Sequence, residues 1–168
     1  RKRTYYAAKS PKILHQAFAS LVDTLEDIPE PDRHIEYVKG AEGIRRVFDD
    51  VIERMPPKGT FYRYTSERNL EKVNQYLSPD YRARRDKKKL ERLVISNPIS
   101  GRSKKSRLER FIKFFPSEAD LFNQNVIQLV YADSIAFINL NTEEGYIIRD
   151  ADLAQFQMVI FKQLYKKL

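Results

Sequence analysis

The stretch "VIQLVYADSIAFINLNTEEGYIIRD", Val126 to Asp150, decides the fold. It contains three short segments rich in β-branched and aromatic residues, separated by the turn residues Ala132–Ser134 and Asn141–Glu144. Short apolar segments bounded by turn residues are typical of strands. We therefore predict strands over Val126–Tyr131, Ile135–Leu140 and Gly145–Arg149, in a β-meander.

Outside this meander, strand and helix patterns alternate. Period-2 segments predict strands over Arg33–Lys39, Thr60–Thr65, Arg92–Ser96 and Phe111–Phe115. Apolar residues at helical spacing predict helices from Gly43 to Met55, from a Ser66 cap to Leu77, over Tyr81–Leu90, and over Ala151–Lys167. The last of these is apolar nearly all round, so we expect it to be covered on more than one side. The pattern predicts an α/β protein with a mixed β-sheet flanked by helices.

The first part of the chain carries a different pattern. Ser10 and Pro11 are typical of a helix start, and Pro29 and Pro31 end the pattern. Between them, apolar residues at alternating spacings of four and three predict a dimerisation helix over 10–28: Leu14, Phe18, Leu21, Leu25 and Ile28. Because only about two heptads are present, a helix docking on its own domain is the alternative.

Composition excludes several classes of chemistry. The chain has 168 residues, a net charge of +8, no cysteine and two histidines, His15 and His34. Disulfides and thiolate chemistry are therefore excluded, and neither histidine lies in a catalytic motif. Without a Gly-rich phosphate loop or a calcium loop, we predict no cofactor and no metal site. With no apolar run long enough for a membrane span, we expect a cytoplasmic protein that does not bind membranes.

The positive charge is concentrated in one region. Between Arg82 and Lys113 there are thirteen basic and three acidic residues, whereas the rest of the chain has 18 basic and 20 acidic residues. Such a region suits an anionic partner, which could be a small ligand or a nucleic acid.

The meander also resembles the second-half strand pair of the phospholipase D fold. In that fold a His-x-Lys-x4-Asp motif supplies a nucleophilic histidine and a phosphate-binding lysine. On the same spacing this chain has Val126, Gln128 and Asp133. Without the imidazole no covalent phospho-enzyme forms at this position, so we predict a protein that is not an enzyme. A degenerate phosphodiesterase or nuclease that uses other residues is the alternative.

Three stretches resemble the TrmB-type family of transcriptional regulators. They are "KRTYYAAKSPKIL" (2–14), "HIEYVKGAEGIRRVFDDVIERMP" (34–56) and "VIQLVYADSIAFINL" with the following "EGYIIRDADLAQFQMVIFKQLY". The resemblance implies that residues 1–9 end a winged helix-turn-helix domain that is missing from this chain. It also implies that residues 33–168 form an effector-binding domain with a phospholipase D-like fold. A homodimer that binds DNA through that missing winged helix, and a small anionic or sugar-like effector, are then expected.

Two sets of residues are candidates for contact with an anion. Ligands of open α/β sheets bind beyond the carboxyl ends of the strands. By that rule the ligand-binding set is Tyr64, Thr65, Ser66, Arg82, Arg85, Asn97, Lys113 and Tyr131. In the alternative of a stand-alone nucleic-acid-binding module using residues 82–113, the contacts are Arg102, Lys104, Lys105 and Arg107. For Arg82 and Arg85, a solvated helix face is an equal alternative, and Lys87, Lys88 and Lys89 are expected to be solvated.

Overall fold

A computed structural model of the chain describes residues 15–16, 18–20, 34–98, 111–116 and 123–168. The chain divides into two compact units, Arg1–Pro31 and Asp32–Leu168. In the first unit, residues 15–16 and 18–20 are helical, and Phe18 is 67% exposed. Leu14, Leu21, Leu25 and Ile28 lie outside the described residues, so the dimerisation helix stays a prediction.

The second unit contains seven strands and four helices among its described residues. The strands are β1 (His34–Lys39), β2 (Thr60–Thr65), β3 (Glu91–Ser96), β4 (Ile112–Phe114), β5 (Val126–Tyr131), β6 (Ser134–Asn139) and β7 (Glu144–Arg149). The helices are α1 (Gly40–Arg54), α2 (Leu70–Gln75), α3 (Tyr81–Lys87) and α4 (Ala151–Lys167). The predicted mixed α/β sheet flanked by helices is confirmed.

The strands form one sheet in the order β1-β7-β6-β5-β2-β3-β4. The β2–β3 and β3–β4 pairs are parallel, and the other four pairs are antiparallel. The predicted meander is thus β5, β6 and β7. The first strand of this unit, β1, pairs with the last strand, with His34 opposite Arg149.

Two apolar clusters lie on opposite faces of the sheet. One face packs against α1 through residues that include Phe48, Phe61 and Ile127. The other face packs against α4 through residues that include Tyr62, Val130 and Phe161. Because side chains alternate along a strand, neighbouring residues such as Phe61 and Tyr62 belong to different clusters.

Helix α1 lies close against β1. Gly40 begins the helix with φ of +72°, a backbone conformation that favours glycine, and its N–H donates to Glu143 O at 2.7 Å. A Cβ on Gly43 would be 3.0 Å from the Val38 Cβ, so glycine permits the close approach of helix and strand. The GAEG sequence is therefore a helix start.

Two local expectations are wrong. Helix α2 is capped by Asn69, whose side chain accepts from Lys72 N at 3.0 Å, whereas the Ser66 hydroxyl is engaged with the backbone of Val126. Among the described residues, α4 is also covered on one side only. Its uncovered apolar residues are Leu153, Phe156, Val159 and Ile160, which are 48%, 62%, 47% and 40% exposed. The sheet reaches α4 from one direction, so the remaining side of the helix lacks a neighbour in this part of the chain.

No described helix has the length and apolarity that a membrane crossing requires.

Candidate anion-binding site

Charged and polar side chains collect on the face of β2 and β3 that also carries Phe61. On β2, Arg63 and Thr65 follow Phe61 at alternate positions, and Ser96 of β3 is paired with Thr65 in the parallel register. Arg63 is 6% exposed, while Thr65 and Ser96 are fully buried. Buried polar groups in a predominantly apolar face need hydrogen-bond partners. These residues therefore form a buried polar region within the apolar face of the sheet.

A series of polar contacts connects Arg63 and Thr65 of β2 to Glu67, which lies just after the strand. Arg63 Nη2 donates to Thr65 Oγ1 at 3.0 Å, and the Thr65 hydroxyl donates to Glu67 Oε2. The distance between Arg63 Nη2 and Glu67 Oε2 is 3.6 Å, and Glu67 is fully buried. One buried carboxylate thus lies beside a guanidinium at the carboxyl end of a parallel strand.

Two further guanidinium groups belong to the same region. Arg92 of β3 and Arg85 of α3 are close enough to Arg63 and to the Tyr81 hydroxyl for their charges to affect one another. Burial raises the pKa of Tyr81, and the charges of Arg92, Arg63 and Arg85 oppose that rise. We call Arg63, Arg85 and Arg92 the arginine cluster.

Arg92 is the least compensated member of the cluster. Part of its side chain is accessible, but desolvation of the charge, followed by the positive charge of Arg63, lowers the pKa of Arg92 to about 10. Among the described residues, its guanidinium has no hydrogen bond or ion pair shorter than 4.0 Å, while Glu67 attracts it from a greater distance.

The other two arginines have counter-ions of their own. Arg85 donates to Asp86 Oδ1 from Nε at 3.1 Å and from Nη2 at 2.8 Å. Arg63 shares Glu67 with Arg92, and the Arg63 Nε has no hydrogen-bond partner among the described residues. Among the described residues, Glu67 and Asp86 are the carboxylates beside these three guanidinium groups, so this part of the chain carries an excess of one positive charge here.

The structure divides the predicted ligand-binding set between the two faces and two ends of the sheet. Thr65 and Arg85 lie at the arginine cluster, and Arg82 is exposed on α3. Ser66 connects β2 to β5, because its hydroxyl donates to Val126 O at 3.1 Å and accepts from Val126 N at 3.0 Å. Asn97 is buried directly after β3.

Tyr64, Lys113 and Tyr131 do not join that group. Tyr64 packs against Phe161 of α4 with ring centroids 4.9 Å apart, and burial raises its pKa. Lys113 Nζ lies 5.7 Å from the ring centroid of Tyr165, also on α4. Tyr131 is the last residue of β5, which runs antiparallel to β2, so it lies at the end of the strands away from Thr65 and Ser66. A single rim containing all three is therefore wrong, since adjacent strand residues point to opposite faces.

The residues that sequence reasoning missed are Arg63, Glu67 and Arg92. A signal for Arg63 was present, because it shares the inward face of "TFYRYT" with Phe61, where a charged residue is unexpected. Nothing comparable marked Glu67, which follows the strand. The candidate nucleic-acid contacts Arg102, Lys104, Lys105 and Arg107 lie outside the described residues.

A depression of about 340 Å³ lies along the polar face of α1. It is lined by Glu42, Arg45, Arg46, Asp49, Asp50 and Glu53. Most of these residues already form ion pairs, such as Arg45 with Glu42 at 2.6 Å and Arg46 with Glu36 at 2.8 Å. The depression therefore lacks the uncompensated charge found at the arginine cluster.

Comparisons with known proteins find similarity among solved structures and none among family models or curated proteins. Among solved structures, the chain is similar to TrmBL2, described as an archaeal chromatin protein with a novel mode of DNA binding. The two are 13% identical with a TM-score of 0.48, and the similarity covers 93% of this chain and 61% of the TrmBL2 chain. At this level the similarity assigns no role to any residue of this chain.

Proposed function

We propose that this chain is the non-catalytic, effector-sensing and dimerising part of a TrmB-like transcriptional regulator. In that proposal the effector is a small anion bound at the arginine cluster, and the DNA is held by a winged helix outside this chain. The observation that carries it is the uncompensated guanidinium of Arg92 beside Arg63. Strongly perturbed charges close to one another are typical of functional sites.

The absence of a nucleophile at the phospholipase D positions supports a sensing role over a catalytic one. Val126 and Gln128 occupy the places of the motif histidine and lysine on β5, and both are half-buried. Gln128 pairs with Tyr64 in the sheet register and lies on the face of α4, away from Arg63. The anion site and the motif positions are therefore separate, and binding at the arginine cluster does not require the lost chemistry.

Ligand binding would act on the regulator through differential affinity for two arrangements of the paired subunits. Each guanidinium offers a planar fork of donors that matches phosphate or carboxylate oxygens. Because the cluster spans β2, β3 and α3, an anion held between its members would fix α3 against the sheet.

Anion binding is tested by titrating inorganic phosphate into the wild-type chain and into Arg92→Gln, with calorimetry as the measurement. A hydrogen bond to a charged group contributes about 1.5 to 3 kcal/mol, so we expect the substitution to weaken binding roughly 10- to 100-fold. Arg82→Gln is the matched control, because it removes the same charge from an exposed position of α3. We expect it to bind phosphate within about twofold of wild type.

Two results would contradict the proposal: phosphate binding that is equal in Arg92→Gln and wild type, or no binding of phosphate, sulfate or citrate by any of the three proteins. Turnover of a chromogenic phosphodiester that is lost in Arg92→Gln would instead favour the enzyme alternative.

A further inference from the structure

The carboxylate of Glu67 occupies a position suited to an external anion. It is fully buried directly after β2, accepts from the Thr65 hydroxyl and lies beside Arg63. Its charge also acts on Arg92. Glutamate is almost never fully buried unless it is paired, and Arg63 and Thr65 are two of the residues that pair with this side chain.

The pairing of Glu67 with Arg63 is incomplete. The nearest distance between their charged atoms is 3.6 Å, whereas charge-assisted hydrogen bonds measure about 2.7 to 2.9 Å. Arg63 Nε has no hydrogen-bond partner among the described residues, so Glu67 does not use the bidentate edge of the guanidinium. A ligand oxyanion can use donors that the protein carboxylate leaves unused.

We propose that Glu67 is a resident competitor that a phosphate-type dianion displaces from the arginine cluster. This inference rests on the proposed function, because it concerns the same site. Arg63 and Arg92 together carry two positive charges, and a single carboxylate neutralises one of them. A phosphate group carries a charge of about −1.5 to −2 and three acceptor oxygens, so it can serve both guanidinium groups at once.

Displacement of Glu67 has a defined mechanical consequence. Glu67 lies in the connection between β2 and the Asn69 cap of α2, and its neighbours are tied to the start of β5. Ser66 bonds the Val126 backbone, and Arg68 N donates to Asn125 Oδ1 at 3.1 Å. Expelling the carboxylate places strain on these bonds, so anion occupancy is converted into loosening of the connection from Ser66 to Asn69.

The test is phosphate titration of Glu67→Gln, which removes the competing charge and retains the shape. We expect at least tenfold tighter phosphate binding than in wild type, because the ligand no longer has to expel an anion. Glu71→Gln is the control, since it removes the same charge from an exposed position of α2. We expect its affinity to stay within about twofold of wild type.

A second measurement uses the wild-type protein and does not depend on the folding of Glu67→Gln. Hydrogen exchange at the amides of Ser66 to Asn69 should become faster at saturating phosphate. Equal or weaker phosphate binding by Glu67→Gln, or exchange in this connection that phosphate leaves unchanged or slows, would overturn the competitor role. Either result leaves the proposed function intact as long as wild type binds phosphate and Arg92→Gln does not. Absence of binding in both wild type and Glu67→Gln would instead remove the proposed function itself.

Discussion

The hydroxyl of Tyr131 donates to Asp50 Oδ2 at 2.6 Å, and Arg149 reaches both oxygens of the same carboxylate at 3.1 and 3.0 Å. Burial, followed by the bond to Asp50, raises the pKa of Tyr131, so the phenol remains a neutral donor across the working pH range. These contacts join β5, β7 and α1 at the C-terminal end of β5. These contacts give Tyr131 a structural role, whereas the rule that ligands bind beyond the carboxyl ends of strands assigns it to the ligand-binding set.

Tyr131→Phe should therefore lower the free energy of unfolding. It removes a bond from a buried hydroxyl to the partly buried carboxylate of Asp50, for which about 1.5 to 3 kcal/mol is expected. Tyr37→Phe is the matched control, because the Tyr37 hydroxyl donates to Glu144 Oε1 at 2.7 Å in an exposed position. Urea unfolding of both variants measures the difference. A loss for Tyr37→Phe equal to that for Tyr131→Phe would show that burial is not what gives the Tyr131 bond its strength.

At the residue scale, sequence patterns identify where strands end, but they do not identify which side chains contact one another. Thr65 and Arg85 were placed near a site from their positions alone. Arg63 and Glu67 were missed because the contact between them depends on where the chain turns after β2. The direction of each strand side chain follows from the period of two, so the separation of Tyr64 from Thr65 was predictable from the residues.

At the element scale, the basic run from Arg82 to Arg92 divides into structural and exposed positions. Arg84 of α3 forms ion pairs with Asp49 and Asp80, the second at 3.2 Å. Lys88 Nζ donates to the carbonyl oxygens of Ile52, Glu53 and Met55 at 2.7, 3.0 and 3.0 Å. A lysine at a helix C-terminus satisfies carbonyls that have no partner within the helix and complements the helix dipole. The expectation that Lys88 is solvated is wrong.

Lys88→Met should destabilise the domain, because the carbonyls that end α1 lose their donor. From the net value of hydrogen bonds to a charged group we expect a loss of about 1.5 to 3 kcal/mol in the free energy of unfolding. Lys87→Met removes the same charge from the exposed neighbouring position and should leave stability unchanged within about 0.5 kcal/mol. Thermal or urea unfolding measures both. Equal stability of the two variants would contradict the capping role.

Element boundaries were largely predictable. The bounds of β2, β5 and α4 agree with the sequence pattern to the residue, because Gly59 precedes β2, Asn125 precedes β5 and Asp150 caps α4. The start of α2 was not, since Ser66 and Asn69 are both suitable caps, and the choice between them depends on a bond to Val126 in a distant strand.

At the scale of the whole molecule, the strand order lay beyond sequence reasoning. The meander implied that β5, β6 and β7 are neighbours, but the pairing of β1 with β7 and of β2 with β5 joins segments that are far apart in the chain. Nothing local to those strands encodes their partners, because any strand with one apolar face satisfies the same pattern.

The dimeric state is a prediction at this scale, based on the apolar seam of residues 10–28. Leu21→Asp places a charge in that seam and should convert the chain from dimer to monomer in sedimentation at tens of micromolar. Ala19→Asp is the control, because Ala19 is exposed and lies off the seam. It should sediment as wild type does. A wild-type monomer, or a dimer that Leu21→Asp leaves intact, would refute this arrangement.

The pairing of β1 with β7 also affects folding during synthesis. Synthesis proceeds from the N-terminus, so His34–Lys39 emerges long before Glu144–Arg149, its one sheet neighbour among the described residues. Until β7 is made, the edge of β1 has no strand to pair with. This strand carries Ile35 and Tyr37, which are 70% and 50% exposed even in the folded protein. A nascent chain that has not yet reached β7 therefore exposes a strand edge that can pair with other chains. We expect chaperone binding to be strongest in the interval between synthesis of β1 and synthesis of β7.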